Sequence, residues 1–480
     1  MQIINELSSV KYNGTVYCYD EIVKNCSLWI DILKKFNINS LEKVVVYAEV
    51  NDKILFLILA LLSTKACYVP IDADTPITRV KEICKQTNSK LIITNEKNKD
   101  LIDGDIEQFY IENFELKNDI SESYCNEWGE GIAYCIFTSG STGKPKGVMI
   151  EKSSLYNFVV GTERMNIIGN CSTVLCVTSI SFDIFGFETV FALNQGKQVV
   201  IANKEQKSNP RALLNLIYDE KIECIQVTPS RLRMLYYTDN TFSKLKEVKT
   251  IVVGGEKFPE DLVYALKENL KADIYNGYGP TESTIYSSYA LVDSERIDIG
   301  VPIINVRYYI LDENLKIIED DLTGELYISG KSLAKGYINN ERETNNRFVH
   351  IDGISELVYK TGDLCKKNND KFYWLGRTDN QVKVNGYRIE LEEVESVLCL
   401  YSEVKEALAY LHYSANNEKK FLAAAVVTTE KFNKDECIRY VRSVLPDYMV
   451  PVIIKHVDKF PHTLGGKIDR KKVIANIKEN

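Results

Sequence analysis

Residues 134–147 read Tyr-Cys-Ile-Phe-Thr-Ser-Gly-Ser-Thr-Gly-Lys-Pro-Lys-Gly. An apolar run, Ile132 to Phe137, gives way to ten residues holding three glycines, four hydroxyls and two lysines. A strand feeding such a loop can hold phosphate. Glycines let backbone N–H groups approach an anion, hydroxyls add donors, and Lys144 and Lys146 add charge. The loop is not a Walker A sequence, which needs Gly at 138 and Ser or Thr at 145, where this chain has Thr138 and Pro145. No GxGxxG follows the strand, so a dinucleotide fingerprint is excluded too.

Four further segments carry candidate chemistry. Tyr275-Asn-Gly-Tyr-Gly-Pro-Thr-Glu-Ser-Thr284 puts an aromatic ring (Tyr278), a hydroxyl (Thr281) and a carboxylate (Glu282) within five residues. A ring can stack on a base, and a carboxylate can hold Mg²⁺ through one oxygen while phosphate and water supply the rest. A plain Gly-Pro turn needs neither group. Tyr359-Lys-Thr-Gly-Asp363 ends in an acid suited to ribose hydroxyls, although Gly-Asp turns are also common surface features. Residues 376–390, from Gly376-Arg377 to Arg388-Ile389-Glu390, alternate charged and apolar types. Leu464-Gly-Gly-Lys-Ile-Asp-Arg470 carries Lys467 on a glycine loop, where it can be delivered to an anion and withdrawn; alone, the segment reads as a solvated basic tail.

The elements that must position these groups follow from patterning. With 480 residues, two or three domains are expected. Strand-length apolar runs at Val44–Glu49, Lys90–Thr94, Ile132–Phe137, Val174–Thr178, Gln198–Ala202, Cys224–Val227, Thr250–Val253 and Asp273–Tyr275 mostly lack alternation, as when helices cover both faces. Helices are expected over 51–64, 210–219 and 259–270, the last two with Pro in the first turn. The fold class is α/β: layered α/β subdomains followed from about residue 300 by a small barrel-like β portion. After Arg377 a small α+β domain begins. The boundaries are 1–378 and 379–480.

Composition narrows the function. Net charge is −8 and basic residues are scattered, which disfavours nucleic acid. No apolar run approaches the roughly 18 residues of a membrane span, and no signal peptide is visible, so a cytoplasmic protein is expected. Twelve cysteines lie mostly in apolar segments without a CxxC pair, and four histidines are too few to suggest a zinc site.

Taken together, these segments resemble the adenylate-forming superfamily, and within it the amino-acid adenylation domains of nonribosomal peptide synthetases. The resemblance runs from about Tyr17 to Arg470 and includes Tyr68-Val-Pro-Ile-Asp72, Ser181-Phe-Asp-Ile184, Gly324-Glu-Leu-Tyr-Ile-Ser-Gly330 and Leu445-Pro-Asp-Tyr-Met-Val-Pro451. It implies two half-reactions. An amino-acid carboxylate attacks Mg·ATP to give an acyl-adenylate and pyrophosphate; a phosphopantetheine thiol on a carrier protein then takes the acyl group and releases AMP. By resemblance, Lys467 bridges carboxylate and α-phosphate, and the loop Thr138, Ser139, Gly140, Ser141, Thr142, Gly143, Lys144 and Lys146 holds the outer phosphates. Glu282 holds Mg²⁺ and Thr281 meets the α-phosphate. Asp363 with Arg377 binds ribose, and Gly255, Glu256, Asn276, Gly277, Tyr278 and Gly279 frame the nucleotide. Asp379 is the implied hinge that presents Lys383 in the second step.

Asp183 matches the position that pairs with a substrate α-ammonium. A carboxylate among Ile180, Phe182, Ile184 and Phe185 is costly to bury without a cation. The rest of the implied pocket is Ile184, Phe187, Gln226, Val252, Gly254, Gly277, Ile285 and Tyr286. With no second charge, it disfavours charged side chains. Gly254 and Gly277 are expected to leave room and Gln226 and Tyr286 to meet a polar tip, so the expected substrate is a neutral, middle-sized L-amino acid. A D-alanine–carrier protein ligase is the nearest alternative, with Gly254 counting against it; an acyl- or aryl-CoA synthetase is disfavoured by Asp183. Three residues depart from the family pattern: Phe185, Gly465 and Trp374. The expected enzyme acts on a carrier in trans as a stand-alone protein, or is excised from a larger synthetase.

Overall fold

The computed structural model describes residues 2–38, 41–102, 106–115, 123–140, 145–293, 297–318, 320–414, 420–462 and 468–479. The chain divides into two compact units, one comprising Met1–Ala73, Cys84–Phe137 and Gly147–Thr378, the other Asp74–Ile83, Thr138–Lys146 and Asp379–Asn480.

Among the described residues the first unit holds three sheets. A nine-stranded sheet runs in the order Val301–Pro302, Ser288–Leu291, Asp273–Tyr278, Thr250–Gly254, Cys224–Val227, Thr173–Cys176, Gln198–Ile201, Ser9–Tyr12 and Thr15–Tyr17. Its interior strands, from Asp273–Tyr278 to Ser9–Tyr12, are parallel, and the outermost pairings are antiparallel. A seven-stranded sheet has its parallel part in Ile132–Thr138, Cys67–Ile71, Lys43–Tyr47, Leu91–Thr94 and Glu107–Tyr110. The non-alternating strands are therefore those buried on both faces, and Thr250–Gly254 and Cys224–Val227 are buried throughout.

Between the strands lie the expected helices. Asp52–Ser63 is buried from Ile54 to Leu62 and starts at Asn51, whose side chain accepts from Ile54 N at 3.0 Å. The Lys152 ammonium meets the carbonyls at the end of this helix, those of Leu61 and Ala66 at 3.1 and 3.2 Å and that of Thr64, so orphan acceptors are satisfied inside the core. Pro210–Asp219 begins on Pro behind the Asn209 cap, as expected, whereas the third expected helix is Glu260–Asn269 with Pro259 as its N-cap; a further helix, Pro229–Thr238, begins on Pro behind a Thr cap. The β portion after residue 300 is a five-stranded antiparallel sheet of Val306–Leu311, Thr323–Gly330, Val358–Asn368, Phe348–Val349 and Lys371–Arg377.

In the second unit, Val404–Tyr413 pairs antiparallel with Lys420–Thr428, which pairs parallel with Ile453–His456. Period-two alternation splits the strand between two cores. Ala407 and Ala409 pack with helix residues Val394, Leu398 and Val441, whereas Leu408 and Tyr410 pack with Val473 and Ile477. Among the described residues no helix is long and apolar enough to cross a membrane.

Candidate active site

Asp363 lies on the long strand Val358–Asn368 opposite Arg377, and the register slips between Leu364 and Cys365. That slip sets Trp374 opposite Cys365 and Gly376 opposite Leu364, so Arg377 and Trp374 both reach the same carboxylate. Arg377 Nη1 and Trp374 Nε1 each donate to Asp363 Oδ1 at 2.9 Å, and Tyr278 Oη donates to Oδ2 at 2.5 Å. Burial, together with the Asp363 charge, pushes the Tyr278 phenol well above its ordinary pKa, so it stays a donor. The acid sits only 6% exposed, its charge met by a guanidinium. Trp374, a departure from the family pattern, here positions the acid.

Tyr278 ends the strand Asp273–Tyr278, and the chain then folds back on itself. Ser287 N donates to Tyr278 O at 2.9 Å, and Gly279 has no space for a side chain, because a Cβ there would lie 2.5 Å from Ile285 O. Inside the bend, Glu282 is fully buried and its Oε1 accepts from Tyr337 Oη at 2.7 Å. Thr281 and Glu282 share a single 3₁₀ turn. Thr284 and Ile285 follow with φ of 62° and 65°, a region that β-branched residues avoid. The bend is held there by Thr284 Oγ1 donating to Ser332 O at 2.7 Å and Ile285 N donating to Asp183 Oδ2 at 3.2 Å.

Asp183 sits in a tight turn in which Gly186 N donates to Asp183 O at 2.8 Å. Burial first, and the Asp183 charge in addition, raises the phenol pKa of Tyr68, Tyr134 and Tyr286. The Asp183 charge is thus felt at three tyrosine hydroxyls. The Tyr134 hydroxyl is buried with no hydrogen-bond partner among the described residues. Behind the turn, fully buried Glu188 accepts from Val177 N and Thr178 N, both at 2.9 Å, and from Thr178 Oγ1 at 2.6 Å.

The pocket departs from its expected shape. Gly254 and Gly277 are register neighbours on adjacent parallel strands, and the space above them is filled by the Tyr286 ring. Gln226 and Tyr286 bond one another, Nε2 to Oη at 2.8 Å, instead of facing outward together. Phe187 and Val252 are fully buried beside them, while Ile184 and Asp183 are half-buried. The expected opening for a middle-sized side chain is thus closed by a residue read as lining it.

The other expected residues fall as follows. Asn276 Nδ2 donates to Asp298 O at 2.7 Å, tying its strand to the segment before Gly300. Gly255 adopts φ 83°, and Glu256 accepts from Ser230 Oγ at 2.7 and 2.9 Å. In the second unit, Ser139 Oγ donates to Arg388 O and accepts from Glu390 N, both at 3.0 Å; Gly140 N donates to Glu393 Oε2 at 2.9 Å. Lys146 Nζ lies 3.9 Å from Glu390, and Thr138 Oγ1 lies 3.5 Å from Lys146 O. Lys383 sits on a hairpin opposite Arg388, turned by Asn385 and Gly386 at positive φ, and Asp379 Oδ1 accepts from Gln381 N at 3.2 Å. Ser141, Thr142, Gly143, Lys144 and Lys467 lie outside the described residues.

Sequence reasoning missed Tyr337, Glu188, Tyr134 and the Arg79–Glu393 pair, whose Nη1 and Oε1 are 2.7 Å apart. Tyr68 opened a motif noted in the sequence, yet no role was attached to it. Tyr337 and the Arg79–Glu393 pair have no local signature, since their partners lie 55 and 314 positions away, and Glu188 and Tyr134 stand in largely apolar runs whose residue types point to no chemistry.

Fold and site together define an α/β enzyme of the AMP-binding class. Residues 6–338 match the family model for AMP-binding enzymes and residues 393–467 match that for the AMP-binding enzyme C-terminal domain; the chain belongs to this family. It is 35% identical over 435 residues to the dimodular nonribosomal peptide synthase of Bacillus subtilis (strain 168), covering 87% of this chain and 18% of that protein. Bacitracin synthase 3 of Bacillus licheniformis is 32% identical over 480 residues, covering 97% of this chain and 7% of that protein. The chain thus spans under a fifth of either relative. Among solved structures, a four-domain nonribosomal peptide synthetase bound to AMP and glycine is 27% identical with a TM-score of 0.70, covering 95% of this chain and 34% of that one. An artificially fused adenylation–PCP di-domain from Klebsiella oxytoca shares the fold at 23% identity and a TM-score of 0.83, covering 93% of this chain and 90% of that one.

Proposed function

We propose that this chain activates a neutral α-amino acid with ATP, forming an aminoacyl-adenylate and releasing pyrophosphate, and passes the aminoacyl group to the phosphopantetheine thiol of a carrier protein. The observation that carries this reading is Asp183: a half-buried carboxylate whose Oδ2 accepts from Ile285 N at 3.2 Å and whose charge is felt at the Tyr286 hydroxyl. A carboxylate so placed suits a cation, and an α-ammonium supplies one on the same molecule as the reacting carboxylate. The solved relative that carries AMP and glycine supports the pairing of a nucleotide with an amino acid.

In the first step two anions must meet, so alignment and charge neutralisation matter more than a strong base. Asp363, fixed by Arg377, Trp374 and Tyr278, is suited to ribose hydroxyls, with one lone pair beyond those three hydrogen bonds. A hard carboxylate oxygen is the donor Mg²⁺ prefers, and Glu282, oriented by Tyr337, is the residue that would hold it; the metal would neutralise phosphate charge. Lys467 would bridge substrate carboxylate and α-phosphate, and the 138–146 loop would hold the outer phosphates. A turn about Asp379 would then exchange Lys467 for Lys383 in the transfer step.

The test is ATP–pyrophosphate exchange across neutral L-amino acids, D-alanine and aryl acids. Exchange that depends on an α-amino acid and disappears in Lys467→Ala supports the reading. Exchange with aryl acids alone, or full activity in Lys467→Ala, overturns it.

A further inference from the structure

We infer that Tyr286 is a built-in stopper that limits the amino acid to glycine, with alanine the largest side chain admitted at appreciable rate. The inference rests on the proposed pairing of Asp183 with the substrate ammonium and deepens it to a substrate class.

In the pocket that the resemblance implies, an amino acid held at Asp183 would turn its side chain toward Gly254, Gly277, Gln226 and Val252. Two glycines in register on neighbouring strands ordinarily leave a shallow trough. Here the trough is the seat of a ring. A methyl placed on Gly254 would lie 2.5 Å from the Tyr286 hydroxyl oxygen and 2.7 Å from Cε1, and one on Gly277 would lie 2.9–3.0 Å from three ring carbons. The glycines therefore make room for Tyr286 itself. The ring and its neighbours Phe187, Gln226, Val252 and Ile285 are each exposed by 1% or less, so no water-sized space remains against them.

The stopper is fixed from three sides. Its hydroxyl accepts from Gln226 Nε2 at 2.8 Å, and its ring packs edge-on against Phe187 and Tyr289, with centroids 6.3 and 5.5 Å away. Its backbone continues from Thr284 and Ile285 at positive φ, and the Ile285 N–H is bonded to Asp183 itself. The bend that presents the ring is thus tied to the group that anchors the substrate, which sets a fixed distance between ammonium and stopper. Swinging the ring aside breaks the Gln226 bond and disturbs that anchor.

The experiment is exchange kinetics of the whole chain with glycine, alanine, valine, leucine and phenylalanine, for wild type, Tyr286→Ala, Tyr286→Leu and Tyr286→Phe. Since one methylene in a tight pocket is worth roughly 10–200-fold in kcat/KM, leucine is expected at least about 100-fold below glycine in wild type. Tyr286→Ala and Tyr286→Leu are expected to raise leucine or valine at least about tenfold against glycine. Tyr286→Phe keeps the ring and is expected to keep the order of substrates. Leucine or phenylalanine preferred by wild type overturns the stopper while leaving amino-acid activation standing, and this readout needs no variant to fold. An unchanged substrate order in both shortened variants overturns it as well. Exchange with no α-amino acid at all overturns both readings.

Discussion

Around Asp363, side-chain donors from a neighbouring strand and from the end of a strand in another sheet converge on one carboxylate; Asp183 instead accepts a backbone N–H from a single strained turn, that of Ile285. Both regions draw on the stretch 275–288, Tyr278 serving the first and Ile285 and Tyr286 the second. The Asp363 cluster fixes charge by pairing and would serve any nucleotide-dependent member of the family equally. Beside Asp183, in contrast, the Tyr286 ring fills the space over Gly254 and Gly277, and in the proposed pocket a change of that ring would change what fits. One stretch of chain thus supplies contacts to both carboxylates, and in the proposed function it would join a general role to a particular one through the bend at Thr284 and Ile285.

The largest effect is expected from Asp363→Ala. It removes the acceptor of three hydrogen bonds and strands Arg377 beside a hole, which costs about 3–5 kcal/mol of stability for a buried pair. Exchange should fall by roughly 10²–10³, and by the same factor for every amino acid tested. A loss that varies with the amino acid would break the proposed division between the two regions.

Glu282→Gln comes next. A fall of roughly 10² is expected, partly relieved by raised magnesium, because the amide keeps a partner for Tyr337 but loses its charge. Tyr337→Phe should be milder and in the same direction. Activity in Glu282→Gln equal to wild type at low magnesium would remove Glu282 from the metal's ligands.

Glu188→Ala sharpens the comparison from the other side. Glu188 ties Val177 and Thr178, at the root of the Asp183 turn, to the segment behind it. Its loss should raise KM for the amino acid roughly tenfold, about 1.4 kcal/mol, with KM for ATP unchanged. Equal rises in both would make Glu188 a general scaffold residue instead.

The smallest effect belongs to a control outside both regions. Arg233 meets Asp261 through two hydrogen bonds of 2.7 and 3.0 Å, and this guanidinium holds the Asp261 pKa below its ordinary value. The stabilisation is therefore present above the unfolded carboxylate's pKa and lost as pH falls through the lower folded value. Asp261 is 63% exposed, so Asp261→Asn should cost under about 1 kcal/mol at neutral pH, with the gap to wild type closing in acid. Melting curves between neutral and acid pH check this, and exchange activity should not change.

The Asp363 cluster was more legible in the sequence than the pocket. Tyr278, Glu282, Asp363 and Arg377 stand in short contiguous segments whose residue types already suggest phosphate, ribose and metal. What held them was less visible: Trp374 reaches Asp363 through a slipped strand pairing, and Tyr337 reaches Glu282 from another sheet. In the pocket, the lining residues were named but their arrangement was misjudged. Gly254 and Gly277 signal only that the backbone carries no side chain there. They do not say whether a ligand or a ring fills the place.

By itself the sequence determined the alternation of buried strands and helices and the chemical types in each loop, because side-chain periodicity and turn residues act over a few neighbours. Only the tertiary structure decided that Thr284 and Ile285 take a backbone conformation against their own preference, and that Tyr286 consequently lands on two glycines from other strands. Such contacts join residues about ten to sixty positions apart, and close packing, to which local patterning is blind, sets what space is left.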